Sequence, residues 1–387
     1  MDAHRATTID LSSPQARADP YPAYAALRRE QPVYRDAKRN VLIVSRYADV
    51  VRVLRDADGF STRLASFETT LLGAEPQAHA RVRRIVGRAF AAARVKKLTA
   101  LVEARASDLV ERLVGRDGCD LIGALARPLP LLVVAALLGL DQARLPDLAR
   151  WSRAVLSRRN RSTAAAAAKE IRSAREFFAS HIAALGRGRG DEHVAPFFAK
   201  PAPDEGLTID ELVDVAMLLI VAGTVTTQSL IGSSLLMLVQ DQACQARLRV
   251  DAQAIPLYVE EMLRHESSVQ RVVRVATKAT DIAGVPIPQG AVVEVIIGSA
   301  NHDAEKFADG DEFRLGREPN EHIAFGSGRH FCLGAQLARL EAGILLETVL
   351  RRLPVMTRAD PRQPIAFGSI PAVRGPDRLN VFFRAQA

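Results

Sequence analysis

A cysteine in a glycine-containing loop is the residue of this sequence with the clearest potential for chemistry. The loop spans residues 325–334 and reads FGSGRHFCLG, and the helix-favouring run AQLARLEAGILLETVLRRL follows it. Cys332 therefore lies at the predicted start of a helix, where backbone amides and the helix dipole favour an anion. We expect this environment to lower the pKa of the thiol and to hold a thiolate.

The residues around Cys332 suit a sulfur ligand to a metal ion. His330 and Arg329 can donate hydrogen bonds to anionic groups, and the rings of Phe325 and Phe331 can exclude water from a metal–sulfur bond. A thiolate bound to haem iron needs this kind of setting, because sulfur donates electron density that helps to cleave an O–O bond. We therefore interpret Cys332 as a thiolate ligand to haem iron.

Three other interpretations of this loop stay open at this point. Gly326 and Gly328 are typical of a nucleotide-binding loop, although Phe331 leaves the GxGxxG pattern incomplete and no GK[ST] follows. Cys332 could instead be a nucleophile with His330 as its base. It could also be an ordinary core cysteine that follows a glycine turn.

A second candidate site lies within a long apolar helix. The residues 208–211 form a capping box, and from Leu212 to Val239 the sequence is apolar on nearly every side, which predicts a helix through the centre of the protein. Midway, residues 222–227 read AGTVTT. Glycine and β-branched threonines are poor helix formers, so this stretch indicates either a functional site or a close helix approach with hydroxyls bonded back to carbonyls.

Composition narrows the class of protein. The chain has 387 residues, 52 Lys+Arg and 44 Asp+Glu, and a net charge of +8 that is spread along the sequence, which argues against nucleic-acid binding. Cys119, Cys244 and Cys332 lie far apart without zinc or disulfide spacing. The amino terminus has no signal-peptide pattern, and the apolar runs near Leu131 and Leu218 are shorter than a membrane span. We therefore expect a cytoplasmic protein.

The predicted elements form one domain over residues 1–387. Helical patterns dominate from about 76 to 264, whereas 41–44 predicts one arm of a hairpin and 282–297 predicts short strands joined by turns. The stretch 186–206, rich in Gly, Pro and charge, predicts a surface loop rather than a domain boundary. The expected fold class is mainly α with a minor β-sheet region.

The cysteine loop resembles the haem-binding loop of the cytochrome P450 family, whose pattern is FGxGxHxCxG. The matching positions are Phe325, Gly326, Gly328, His330, Cys332 and Gly334. Glu261 and Arg264 match the family's ExxR pair, and Arg317 stands where the third member of that buried ion network belongs. On sequence alone Glu261 and Arg264 would be a surface helical pair, so the buried network is what the resemblance implies.

The resemblance also implies the fold and the cofactor. Haem b would lie between the central helix and the helix after the cysteine loop, with Cys332 as the axial ligand. The residues that correspond to the family's propionate-binding set are His79, Arg83, Arg274 and His330. Charge-assisted hydrogen bonds to carboxylates are the physical reason for such a set.

The central helix departs from the family pattern at one position. That pattern is A/G-G-x-acid-T, and Ala222, Gly223 and Thr226 match it, so that the glycine would open the helix and Thr226 would hydrogen-bond bound oxygen. Val225 replaces the acid, and a valine cannot relay a proton. Protons would then come through water held by neighbouring threonines or through a polar group of the substrate, or the reaction would need less of this relay.

The resemblance implies a monooxygenase that receives electrons from a separate acidic ferredoxin and acts in bacterial secondary metabolism. We expect a monomer that acts on a largely hydrophobic small molecule or a carrier-tethered substrate, with no nucleic-acid or membrane partner. The alternatives are a peroxide-driven or radical-coupling haem-thiolate enzyme and, in another class, a non-catalytic haem-binding sensor. The predicted basic docking patch for the ferredoxin comprises Arg81, Arg84, Arg88 and Arg339.

The substrate pocket is predicted by resemblance alone. Small and medium apolar side chains suit a hydrophobic substrate. The segment between Phe60 and His79 is short for the family, so we expect an open pocket. The predicted lining residues are Leu218, Val221, Ala222, Val225, Val269, Val272, Val273 and Ile370.

Overall fold

The computed structural model describes residues 9–11, 13–62, 76–157, 164–185, 194–195, 198, 206–368, 370 and 372–384, and over these residues the chain is mainly helical. The helices are α1 (Pro14–Ala18), α2 (Tyr21–Glu30), α3 (Tyr47–Arg55), α4 (Pro76–Gly87), α5 (Ala92–Lys96), α6 (Thr99–Glu111), α7 (Pro128–Leu137), α8 (Leu145–Ser157), α9 (Ala164–Leu185), α10 (Ile209–Ala222), α11 (Val225–Gln240), α12 (Gln242–Val250), α13 (Ile255–His265), α14 (Ile297–Ala300) and α15 (Ala335–Arg352).

The strands are short and form three small sheets. They are β1 (Val33–Asp36), β2 (Val41–Val44), β3 (Phe60–Ser61), β4 (Gly118–Asp120), β5 (Arg271–Ala276), β6 (Thr280–Ile282), β7 (Val285–Ile287), β8 (Val292–Ile296), β9 (Val355–Arg358) and β10 (Asn380–Arg384). The sheet orders are β1-β2-β8-β5-β3, β4-β10-β9 and β6-β7. The mainly helical class with a minor sheet is therefore confirmed.

The chain divides into two compact units. The first unit comprises Met1–Ser61, Glu260–Phe331 and Ile365–Asp377, and the second comprises Thr62–Val259, Cys332–Pro364 and Arg378–Ala387. The prediction of one domain over the whole chain stays a prediction.

The first unit is built around the five-stranded sheet. β1 and β2 form the predicted hairpin, which turns through Asn40 at a φ of 52°. β2 pairs in parallel with β8, and β5 pairs antiparallel with β8. Apolar side chains on one face of this sheet pack against α3 in a shared core, so the sheet holds α3 and β5 in fixed positions.

The second unit is a helical assembly around α10 and α11. α15 packs on α6 and α11, and α9 packs on α8 and α10. The capping box at the start of α10 is present: the Glu211 amide donates to Thr208 Oγ1 at 3.2 Å, and the Thr208 amide donates to Glu211 Oε2 at 2.8 Å. Nearly all of α10 and most of α11 is buried, which confirms the predicted central helix and shows a break within it.

The stretch Ile209–Gln240 is long and apolar enough to cross a membrane by length and composition. Sequence runs had predicted that no apolar stretch reaches this length. Of the most apolar 18-residue window in this stretch, 67% is buried inside the protein. Such burial is also typical of the core helix of a globular protein.

Candidate active site

The cysteine loop requires glycine at two positions. Gly326 and Gly328 have φ values of 75° and 74°, in the left-handed region that side chains other than glycine rarely adopt. A Cβ on Gly328 would also lie 2.8 Å from the carbonyl oxygen of Leu54, at the end of α3. The loop therefore passes close against α3, which only glycine allows.

Side chains from the end of α3 and the segment after it hold the loop in the first unit. Arg55 donates through Nε to Ser327 Oγ at 2.9 Å, and Arg329 lies 3.7 Å from Asp58. These contacts join residues about 270 positions apart, and no local sequence pattern predicted them. The conformation of the loop before Cys332 thus depends on α3.

Cys332 lies three residues before the first residue of α15, close to the predicted helix start. The Gly334 amide donates a hydrogen bond to its sulfur, and Arg83 and Arg339 are near enough to favour the thiolate. Although the residue is exposed, desolvation by the surrounding protein outweighs these contributions and raises the pKa of the thiol. The expectation of a lowered pKa is therefore wrong for the protein without haem, because desolvation by neighbouring protein atoms is the larger effect on this solvent-accessible residue.

The predicted basic residues of α4 differ in their surroundings. His79 is buried and Arg83 is half-buried, and desolvation lowers the pKa of Arg83 while Cys332 opposes the shift. Arg81 forms an ion pair with Glu211 and donates to the Gly206 carbonyl at 3.1 Å. Arg81 therefore links α4 to the start of α10, although its side chain is partly exposed.

Arg274, on β5 in the first unit, is a buried cation. Among the described residues its hydrogen bond is to the carbonyl oxygen of Val273, at 2.9 Å, and no carboxylate pairs with it. Burial lowers its pKa to about 10, with no opposing contribution from an anion. A buried guanidinium without a counter-charge suits an anionic ligand, because pairing would recover part of the desolvation cost.

The central helix is interrupted between α10 and α11. The Thr224 hydroxyl donates to the Ile220 carbonyl and the Thr226 hydroxyl donates to the Ala222 carbonyl, both at 2.7 Å. A Cβ on Gly223 would lie 2.9 Å from Val134 Cγ2, on α7. Close helix approach and hydroxyl-to-carbonyl bonding, one of the two sequence interpretations, are thus confirmed.

Side chains at this break are more accessible than the rest of the central helix. Ala222 is exposed, and Gly223, Val225 and Thr226 are half-buried, whereas the preceding residues Leu218 and Val221 are buried. The predicted lining residues of the first unit, namely Val269, Val272, Val273 and Ile370, are also half-buried. Most of the segment between Phe60 and His79, on which the open-pocket expectation rests, lies outside the described residues.

The ion network of the first unit is buried. Arg264 pairs with Glu261 through two hydrogen bonds of 2.7 and 2.9 Å, and both side chains are fully buried. Arg317 donates to Glu261 Oε1 at 3.0 Å. Because these guanidinium groups and neighbouring donors hydrogen-bond the carboxylate, the pKa of Glu261 is lowered even though burial alone would raise it. The surface-pair interpretation is excluded.

The two units divide the predicted site residues between them. Arg274, Phe325, Gly326 and His330 belong to the first unit, whereas Cys332, Gly334, His79, Arg83 and the break residues 222–226 belong to the second. His330 lies half-buried in a short 3₁₀ turn, Gly328–His330, directly before Phe331. Within the described residues no cluster of three or more His, Cys, Asp or Glu side chains could hold a metal ion.

Comparisons with known proteins agree on one family. The cytochrome P450 family model matches residues 134–381. Cytochrome P450 107B1 of Saccharopolyspora erythraea is 34% identical over 387 aligned residues, which cover 94% of this chain and 95% of that protein. With these matches and the geometry above, the chain belongs to the cytochrome P450 family.

Solved structures of family members share the fold. The cytochrome P450 PksS of the bacillaene polyketide synthase of Bacillus subtilis 168 superposes with a TM-score of 0.90 at 26% identity, covering 98% of this chain and 100% of that one. P450BioI in complex with acyl carrier protein ligated with hexadec-9Z-enoic acid superposes with a TM-score of 0.89 at 28% identity, covering 96% and 100%.

Family membership establishes the class of chemistry. The protein is an oxidoreductase of the cytochrome P450 monooxygenase class, and its cofactor is haem b with a cysteine thiolate as the iron ligand. Some relatives belong to bacterial secondary metabolism, as the polyketide synthase member does.

Proposed function

We propose that the protein is a monooxygenase in which Cys332 is the thiolate ligand, and that it activates dioxygen with electrons from a separate ferredoxin. The observation that carries the proposal is the setting of the Cys332 sulfur. It accepts a hydrogen bond from the Gly334 amide, and the charges of Arg83 and Arg339 are near enough to favour its thiolate form. Binding of the sulfur to a cationic iron would replace the proton that desolvation by neighbouring protein atoms favours on the free thiol. Haem iron, when bound, supplies the oxygen-activating chemistry.

Basic residues of both units support a haem with two carboxylates. We assign the propionate-binding role to His79, Arg83, Arg274 and His330. The buried guanidinium of Arg274, which has no carboxylate partner among the described residues, gives the strongest support from geometry. Phe325 would shield the sulfur from water, while Gly326 and Gly334 would give the backbone the room to approach the ligand.

The break in the central helix supports a role in oxygen activation. The Thr226 hydroxyl can accept a hydrogen bond while it donates to the Ala222 carbonyl, so it can orient a water or a bound oxygen species. Gly223 lets the chain open there, and Val225 leaves residues 222–227 without an ionisable side chain. Proton supply through water held by the threonines is our first choice, and a peroxide-driven or radical-coupling reaction is the second candidate, favoured by Val225.

The substrate class follows from apolar residues near the break and from the relatives. Ala222 and Val225 present small apolar groups there, and the buried Leu218 and Val221 precede them on α10, which suits a largely hydrophobic molecule. P450BioI binds an acyl carrier protein, and PksS belongs to a polyketide synthase. These relatives support a carrier-tethered substrate in secondary metabolism as one form of the same proposal.

Three basic residues suit the docking of an acidic ferredoxin. Arg84 on α4 and Arg88, directly after α4, are exposed, and Arg339 on α15 is half-buried. Arg81 contributes less charge than the sequence suggested, because it is paired with Glu211. We propose that the protein works as a cytoplasmic monomer, without nucleic-acid or membrane partners.

The test compares electron sources. The purified holoenzyme would be supplied with ferredoxin, ferredoxin reductase and NADPH, or with hydrogen peroxide alone, over a panel of fatty acids and their acyl-carrier forms. Dioxygen uptake with ferredoxin, slowed by salt and by Arg84→Glu or Arg88→Glu, is the expected result. Product with peroxide alone would support the second candidate. No turnover with either source would support a haem-binding sensor and overturn the proposal.

A further inference from the structure

His322 links α13 to the entrance of the cysteine loop in the first unit. Its side chain is almost completely buried, with 5% of its surface exposed. Its Nδ1 accepts a hydrogen bond from the Ala324 amide at 3.3 Å, and its Nε2 lies 3.1 Å from Glu260 Oε2. Glu260 directly precedes Glu261, the carboxylate of the buried ion network.

These two contacts fix the tautomer of the ring. An amide can only donate, so Nδ1 must carry a lone pair, and the ring proton must then reside on Nε2, where it can be donated to Glu260. Each ring nitrogen therefore has a separate task. Nδ1 holds the loop backbone, and Nε2 fixes the ring to α13.

The Ala324 amide is one of three hydrogen-bonded backbone amides at the loop entrance, at residues 323, 324 and 326. The Ile323 amide donates to Asn301 Oδ1 and the Gly326 amide donates to the Ile323 carbonyl, each at 2.8 Å. The ring centroid of His322 also lies 6.2 Å from that of Phe325. The direction in which the chain enters the turn at Gly326 thus depends on the groups that accept hydrogen bonds from these amides, which include the side chains of Asn301 and His322.

We propose that His322 is a positioning residue for the Cys332 loop, acting through Nδ1 on the Ala324 amide. The inference rests on the proposed function, since the loop is taken to deliver the thiolate. It differs from a general contribution to stability in one respect. The two ring nitrogens should have unequal effects on the thiolate ligation, because only Nδ1 contacts the loop backbone.

Two substitutions separate the nitrogens. In His322→Asn the amide oxygen lies near the position of Nδ1 and can accept from Ala324, whereas in His322→Gln the amide nitrogen lies near Nε2 and can donate to Glu260. The measurement is the share of the reduced carbon monoxide adduct whose Soret band lacks the thiolate red shift. We expect this share to rise about fivefold in His322→Gln and to stay within about twofold of wild type in His322→Asn.

The matched control is His181→Gln in the second unit, where the ring Nε2 contacts the Leu138 carbonyl at 2.8 Å, far along the sequence from the loop. His181→Gln should leave unchanged the share of the carbon monoxide adduct that lacks the thiolate red shift. Hydrogen exchange of the purified protein over residues 322–326 gives a second readout, which should accelerate in His322→Gln and not in His322→Asn.

Equal effects of the two His322 substitutions, or a larger effect of His322→Asn, would overturn the inference while the proposed function stands. A wild-type adduct without the thiolate band would overturn both. If His322→Gln fails to retain haem, hydrogen exchange decides the inference: unchanged protection of residues 322–326 would contradict it.

Discussion

Valine at position 225 is the residue that most affects how this protein obtains protons. The neighbouring hydroxyls are committed to backbone carbonyls, Thr224 to Ile220 and Thr226 to Ala222. A hydroxyl that donates to a carbonyl can still accept a hydrogen bond, so water rather than a side-chain acid would carry protons past Val225.

Val225→Asp should raise coupled turnover, measured as product formed per dioxygen consumed, by about tenfold if the missing acid limits the reaction. The matched control is Val225→Asn, because asparagine has nearly the same shape as aspartate but cannot relay a proton as an acid. An equal effect of both substitutions, or a loss with Asp, would show that the native reaction obtains its protons by another route.

Glu341, on α15, is a second residue whose surroundings are unusual. It is buried, its Oε2 has no hydrogen-bond partner among the described residues, and burial raises the pKa of its carboxyl far above the ordinary value. The folded protein therefore holds a proton on Glu341 at pH values where the unfolded chain has lost it. Its contribution is most favourable below the ordinary pKa of a glutamate and is lost as the pH rises above it.

Glu341→Met should consequently increase the free energy of unfolding by about 1–3 kcal/mol at pH 7.5, because an apolar side chain of similar size has no desolvation penalty. The increase should be smaller at pH 5. Urea unfolding at the two pH values checks this. A destabilised variant at pH 7.5 would mean that the carboxyl has a partner, such as a buried water, that the substitution removes.

At the scale of residues, the tight turn at Gly326 and Gly328 was predictable from local residue types, whereas the buried Glu261–Arg264 pair was implied only by the family resemblance. The ligand role of Cys332 stays a prediction. The direction of the Cys332 pKa could not be predicted, since it depends on how many protein atoms surround the sulfur. The role of Arg81 was also unpredictable, because its partner Glu211 is 130 positions away.

Among the elements, the break between α10 and α11 shows how packing and helix propensity act together. An added Cβ on Gly223 would lie 2.8 Å from the Leu219 carbonyl oxygen of its own helix and 2.9 Å from a methyl group of Val134 on α7. The close packing of α7 at the break therefore leaves no room for a side chain at position 223.

Gly223→Ala should destabilise the protein by about 1–3 kcal/mol, because the added methyl group meets both the Leu219 carbonyl and Val134 of α7. Val134→Ala in the same chain should recover part of this loss, beyond the sum of the two single effects. Urea unfolding of the four proteins gives the coupling. Additive effects would show that the contact with the Leu219 carbonyl, rather than the contact with Val134, limits the size of the residue at position 223.

The elements themselves were predictable where their patterns are local. The capping box at Thr208 and the strands β2, β7 and β8 follow the sequence signals, whereas β6 begins two residues before the predicted strand region. β9 and β10 were not predicted, because they pair with each other across a separation of more than twenty residues, which no local pattern reveals. The helix break was suggested by residues 222–227, but its position required knowledge of α7.

The whole molecule contains a pair of neighbouring histidines, the buried His302 and the half-buried His265, that affects its response to pH. His265 has a pKa lowered to about 4, first by burial and then by the nearby His302 and Arg264. Its Nε2 lies 3.2 Å from the Asp311 carbonyl, and its Nδ1 has no hydrogen-bond partner among the described residues. The ring is therefore held neutral in the folded protein.

The unfolded chain takes up this proton near the ordinary histidine pKa, so the protein should lose stability as the pH falls from about 6.5 towards 4. We expect His265 alone to contribute a loss on the order of 1 kcal/mol between pH 7.5 and 5.5. His265→Gln, which keeps a donor for the Asp311 carbonyl, should show a shallower decline in urea unfolding. Parallel pH profiles for the two proteins would contradict a neutral His265 ring in the folded protein.

The central claim is that Cys332 is the thiolate ligand to haem iron. It is tested most directly by the optical difference spectrum of the reduced protein with carbon monoxide, for wild type, Cys332→His and the control Cys244→Ser. We predict the strongly red-shifted Soret band of a thiolate adduct in wild type and in Cys244→Ser, and its loss in Cys332→His. A wild-type protein that binds no haem, or a Cys332→His variant that keeps the red-shifted band, would contradict the account.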